Sequence, residues 1–117
     1  MRYDILCELA DKTMVNVEMQ LQLTPGIQER LGYYACKMLV SHETKGKDYQ
    51  KLNRVYQISI LMNNRIYDDE WVTHRFRAYD DESMTWFKGN ITMITAEASK
   101  IKRDEIERLK PLERWVY

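Results

Sequence analysis

Residues 14–23 read "MVNVEMQLQL", and their reading decides the fold. Val15, Val17, Met19, Leu21 and Leu23 alternate with Asn16, Glu18, Gln20 and Gln22, the period-two pattern of a strand with one apolar and one polar face. The preceding "YDILCEL" (3–9) alternates as well, and "ADKT" (10–13) between them is a polar turn. The pair predicts a β-hairpin. A loop centred on Asp11 places Asp4 directly opposite Glu18, with Cβ atoms about 4.5–5.5 Å apart. A one-residue slip would send Asp4 to the other face.

Two acids in register repel. At ~5 Å the cost is roughly 3 kcal/mol at an effective dielectric of ~20, and about 0.8 kcal/mol in water. The pair is therefore cheap if exposed and expensive if a helix covers that face. A divalent cation removes the conflict, because Mg²⁺ binds one or two carboxylates together with waters and phosphate oxygens. Residue types alone leave both readings open: an ordinary amphipathic hairpin, or a metal site.

Outward from the hairpin, "TPGIQERLGYYACKMLV" predicts an α-helix over about 25–42, with Thr24 as N-cap and Pro25 as first helical residue. Ile27, Leu31, Tyr34, Ala35 and Met38 form its core-facing stripe. "VYQISILM" (55–62), "WVTHRFRAY" (71–79) and "ITMITAE" (91–97) read as strands, and "SKIKRDEIERLK" (99–110) as a mostly exposed helix before Pro111. The order β-β-α-β-β-β-α implies α/β or α+β with a mixed sheet.

The 117 residues suit a single domain, and 44% hydrophobic content suffices for a core. Lys plus Arg and Asp plus Glu each number 18, so no global field attracts nucleic acid. Any such binding needs a local patch, for which Lys45, Lys47, Lys51 and Arg54 are candidates. No run approaches the ~18 apolar residues of a membrane span, and Cys7 and Cys36 form no disulfide framework or zinc spacing. A reduced, cytoplasmic protein is expected. His42 lacks ligand-spaced partners, His74 reads as packing, and "YDDE" (67–70) and "YDDES" (79–83) read as solvated turns. Trp71, Trp86 and Trp115 read as packing residues rather than base-stacking ones.

The segments "YDILCEL", "VNVEMQ", "ERLGYYACKM", "KGKDYQKLNRVYQISIL", "ITMITAEASKI" and "LERWVY" occur in an order that resembles the PD-(D/E)XK nuclease-family transposases, or recombination-promoting nucleases. The long fourth segment is the most distinctive. The resemblance implies a restriction-endonuclease-like core that hydrolyses DNA phosphodiesters with Mg²⁺, or another divalent ion such as Mn²⁺. Asp4 and Glu18 would be catalytic and hold the metal, with Gln20 at the position of the usual lysine. Arg30, Tyr33 and Tyr34 match the helix motif; with Lys45 and Lys47 they are the candidate DNA contacts, and Arg30 would meet either phosphate or Glu18. Such proteins usually carry a further helix and strand before the first acid. The expectation is therefore one nuclease-like domain over 1–117, incomplete at its N-terminus and open at its C-terminus. An alternative is an inactive remnant that binds DNA or forms a homodimer through a bare sheet edge.

Overall fold

The computed structural model of the chain describes residues 2–41 and 48–102. Strands β1 (Arg2–Glu8) and β2 (Met14–Gln20) precede the helix α1 (Ile27–Val40), followed by β3 (Val55–Leu61), β4 (Thr73–Phe76) and β5 (Ile91–Glu97). The strands form one mixed sheet of order β1-β2-β3-β5-β4. β2, β3 and β5 run parallel, whereas β1 and β4 flank them antiparallel. With α1 packed on one face, this is an α+β architecture consistent with a PD-(D/E)XK nuclease domain.

The hairpin turn is local chemistry. Asp11 Oδ1 accepts the Thr13 N–H at 3.0 Å, Lys12 N–H bonds Leu9 O at 2.9 Å, and Lys12 takes a left-handed φ of 72°. This turn sets the ladder in which Asp4 pairs with Glu18 and Arg2 with Gln20.

α1 buries Ile27, Leu31, Ala35 and Met38. Ala35 and Met38 meet Met14 and Val55, with Leu39, Ile91 and Met93 closing the cluster. All the strand members of this cluster occupy the β2, β3 and β5 positions in phase with Glu18. The helix thus covers the face that the polar residues of β2 occupy.

Three expectations need correction. The helix does not begin at Pro25: its N-cap is Gly26 at φ 76°, and Arg30 N–H bonds Gly26 O at 2.9 Å. Pro25 instead occupies the turn before it, because the entry requires a left-handed residue that only glycine adopts cheaply. Gly26→Ala is expected to cost about 1–2 kcal/mol. Gly32→Ala, where a methyl group meets nothing within 4 Å, should instead stabilise by up to ~1 kcal/mol; urea midpoints for both variants check the contrast.

The strand expected over 71–79 pairs with the sheet only over Thr73–Phe76. Beyond it the chain folds on itself, with a Tyr79–Trp86 bridge and a Phe87 N–H to Ala78 O bond. Of the helix expected over 99–110, Ala98–Lys100 form a short 3₁₀ turn and residues 103–110 lie outside the described residues. Among the described residues no helix is long and apolar enough to cross a membrane.

Candidate active site

Glu18 is fully buried at 0% exposure, although alternation alone would let its face meet water. Ionised carboxylates are costly to bury unless paired and hydrogen-bonded. The pairing is present: Arg30 Nη2 donates to Glu18 Oε1 at 2.6 Å and Gln20 Nε2 donates to the same oxygen at 3.0 Å. Gln20 reaches Glu18 because residues two apart on a strand share a face. Arg30 reaches it from the first turn of α1, a helix that packs on β3 and β5 beside β2. Of the two partners expected for Arg30, phosphate or Glu18, the fold supplies Glu18.

Asp4, exposed on β1, stands directly opposite Glu18 in the ladder. Gln20 is buried as well, and its Oε1 has no hydrogen-bond partner among the described residues. Tyr33 does not join the cluster: it is 63% exposed, with its ring 5.8 Å from that of the half-buried Tyr34. Lys45, Lys47 and His42 lie outside the described residues, as does Trp115.

The donor set suits a hard divalent ion. Two carboxylates in register, one held in place by an arginine and an amide, match Mg²⁺, which takes few protein oxygens and keeps several waters. Among the described residues no group of three or more His, Cys, Asp or Glu side chains could hold a metal. A softer ion demanding an all-protein cage is thus not what this pair offers.

A second polar cluster went unseen in the sequence. At the far end of the sheet His74 Nε2 lies 2.8 Å from Asp69 Oδ2 and His74 Nδ1 lies 3.4 Å from Glu97 Oε1. Lys100 Nζ bridges Asp69 Oδ1 at 3.0 Å and Glu97 Oε1 at 2.9 Å. Glu97 Oε2 accepts the N–H groups of Ile66 at 2.7 Å and Tyr67 at 3.2 Å, which clamps the β3–β4 loop. Burial, then the Glu97 charge, pushes the Tyr67 phenol up, so it stays protonated. Its hydroxyl lies near Thr95 but gives its proton to Gln28 Oε1 at 3.1 Å, tying the loop to α1.

Asp69 is therefore not the solvated turn residue expected from "YDDE". The His74 hydrogen bond, aided by Lys100, lowers its carboxyl to about 2, against ~3.9 in an unfolded chain. A depressed pKa contributes stability above the unfolded value and loses it as pH falls through the folded one. Asp69→Asn is expected to flatten the fall of stability between about pH 4 and about pH 2, a difference readable by urea unfolding at stepped acid pH. Parallel acid curves for variant and wild type would refute this.

With this geometry established, comparison with known proteins identifies the class. Residues 1–117 match the family described as PD-(D/E)XK nuclease family transposase. The chain belongs to that family. Membership carries a nuclease and transposase type of function, with DNA as substrate and divalent ions as the general cofactors of such nucleases. No curated protein and no solved structure matched the chain.

Proposed function

We propose that this chain is a Mg²⁺-dependent endodeoxyribonuclease that hydrolyses DNA phosphodiester bonds in the cytoplasm. Asp4 and Glu18 would hold the ion, and Mn²⁺ would substitute for it. The observation that carries this reading is the direct pairing of Asp4 with a fully buried Glu18 whose Oε1 is already gripped by Gln20 and Arg30.

When bound, the ion would supply charge neutralisation on the scissile phosphate and a more acidic water. The chain's own groups do the rest. Arg30 and Gln20 hold the Glu18 carboxylate in one orientation, so no reorganisation is needed at the moment of reaction. Gln20 Oε1, buried and without a hydrogen-bond partner among the described residues, would accept an O–H of the attacking water and aim its oxygen. The amide has no charge to lend, unlike a lysine in its place. Arg30 acts through Glu18, and its cation also offsets negative charge brought by substrate. Tyr33, projecting from the exposed side of α1, and Tyr34 beside it would contact DNA together with Lys45 and Lys47.

Nicking of supercoiled plasmid, with Mg²⁺ or Mn²⁺ and with EDTA, tests the reading. Wild type should nick only with the metal, and Asp4→Ala should fall to the EDTA background. Equal nicking by wild type and Asp4→Ala would remove Asp4 from the mechanism.

A second reading has one observation behind it. β1 forms an edge of the described sheet, with Ile5 57% and Leu6 60% exposed, and an unpaired edge invites pairing with another chain. A non-catalytic module that self-associates there would show dimers in light scattering and no change of melting temperature with Mg²⁺.

A further inference from the structure

Among the described residues, several buried polar atoms of the sheet have no hydrogen-bond partner, Ser59 Oγ, Gln20 Oε1 and His74 Nδ1 included, and Thr95 Oγ1 has only the Tyr67 hydroxyl beside it. They are not scattered. Glu18 pairs with Ser59 on β3, Ser59 with Thr95 on β5, and Thr95 with His74 on β4. Directly paired residues leave a sheet on the same face, so one transverse polar row runs from the carboxylate pair to the histidine. Ser59 and Glu18 are 0% exposed and Thr95 1%.

Unpaired buried hydroxyls in native proteins are met by internal water. The spacing fits this. Neighbouring strands lie about 4.8 Å apart, too far for a direct O–H···O bond of about 2.8 Å. Two such bonds meeting at a water span roughly 4.6 Å.

The row ends on the His74 imidazole. Asp69 Oδ2 lies 2.8 Å from His74 Nε2, and in the tautomer that carries its proton on Nε2 the lone pair is on Nδ1. Nδ1 makes no hydrogen bond among the described residues but lies 3.4 Å from Glu97 Oε1, so a proton arriving there meets a carboxylate. Lys100 Nζ, bonded to both Asp69 and Glu97, balances the acids. The Tyr67 ring, 4.5 Å from the imidazole, closes the other side. Asp69, Glu97, Lys100 and Tyr67 are the titratable groups facing His74 among the described residues.

We propose that Ser59 and Thr95 hold a file of internal water that carries the proton of the attacking water to Nδ1 of His74. The proposal rests on the nuclease reading above and answers a need it creates, because the Gln20 amide aims a water but cannot take its proton. As the water oxygen bonds phosphorus and the bond from phosphorus to the leaving oxygen breaks, one proton enters the file and one reaches Nδ1. The leaving oxygen takes a proton from solvent. His74, its side chain 18% exposed, returns its own to solvent between turnovers. It acts through the two hydroxyls and touches no reacting atom.

Plasmid nicking with Mg²⁺ from about pH 5 to about pH 9 tests this on wild type, His74→Gln, Ser59→Ala, Thr95→Val and Thr95→Ser. Wild-type rate should rise with pH and then level off. His74→Gln, Ser59→Ala and Thr95→Val should be about 10²-fold slower at that plateau and keep rising with pH. Thr95→Ser should restore the wild-type profile, and Thr95→Val, which trades hydroxyl for methyl, guards against a merely misfolded His74→Gln. Cleavage with an unchanged profile in His74→Gln overturns the relay and leaves the nuclease reading standing. No cleavage by wild type at any pH, with either metal, overturns both. Water–protein NOE measurements on the metal-free chain should show long-lived water at Ser59 and Thr95; a dry row overturns the relay whatever the nicking assay reads.

Discussion

Glu18→Gln is expected to lower Mg²⁺-dependent nicking by about 10²–10³-fold while leaving the chain folded, a loss of roughly 3–4 kcal/mol of transition-state stabilisation. The substitution is nearly isosteric. A side-chain oxygen remains to accept from Arg30 Nη2 and Gln20 Nε2, which now lie 2.6 and 3.0 Å from Oε1. What disappears is the negative charge that a divalent ion requires. The same variant should lose the thermal stabilisation that Mg²⁺ gives the wild type, about 2.7 kcal/mol at a hundredfold excess over the dissociation constant. Differential scanning fluorimetry with and without Mg²⁺ reads this independently of cleavage. Wild-type nicking rates in the variant would eliminate Glu18 as a metal ligand.

Arg30→Met is expected to destabilise the fold by about 3 kcal/mol, a fall in melting temperature on the order of 10 °C. Removing one partner of a buried ion pair leaves the other charge uncompensated. Glu18, fully buried, would then lose its 2.6 Å guanidinium contact and keep the Gln20 amide 3.0 Å from Oε1. The magnitude is set at the lower end because the Arg30 side chain is itself 27% exposed, so water screens part of the pair. Glu18→Gln combined with Arg30→Met should recover most of the loss, since the double variant carries no orphaned charge. A double-mutant cycle by urea unfolding measures the coupling. A single variant within ~0.5 kcal/mol of wild type would show that the pair contributes nothing measurable.

Both predictions depend on a face assignment that local pattern did not supply. Alternation in "MVNVEMQ" announces two faces but not which one a helix will cover. The apolar side, Val15, Val17 and Met19, invites the assumption that it is the core side. In the structure those three are only half-buried, whereas Glu18 and Gln20 are buried beneath α1. The partner that makes this tolerable, Arg30, is recognisable as a helix-surface cation in sequence, yet only docking of the helix on β3 and β5 brings it to 2.6 Å.

The second cluster was hidden for a related reason. Asp69, His74, Glu97 and Lys100 come from a loop, an edge strand, a central strand and a 3₁₀ turn. Each fits an ordinary local reading: acidic turn, packed histidine, strand end, exposed helix. No motif spacing joins them, because the contacts are made across strands.

By itself the sequence determined what short-range forces control. A loop centred on Asp11 and the alternation of the second arm pointed to the pairing of Asp4 with Glu18 that the ladder shows, a register in which a slip of one residue would invert every side chain. The β-branched runs marked β3 and β5, with "ITMITAE" ending where β5 ends at Glu97, and helical spacing marked four of the buried residues of α1. Only the tertiary structure decided that the polar side of β2 faces the helix, that Arg30 and Gln20 share one oxygen of Glu18, and that Ser59, Thr95 and His74 continue its row. Those outcomes come from the burial of Ile27, Leu31, Ala35 and Met38 across the parallel strands. That apolar contact carries neighbouring charges under cover, where pairing becomes obligatory.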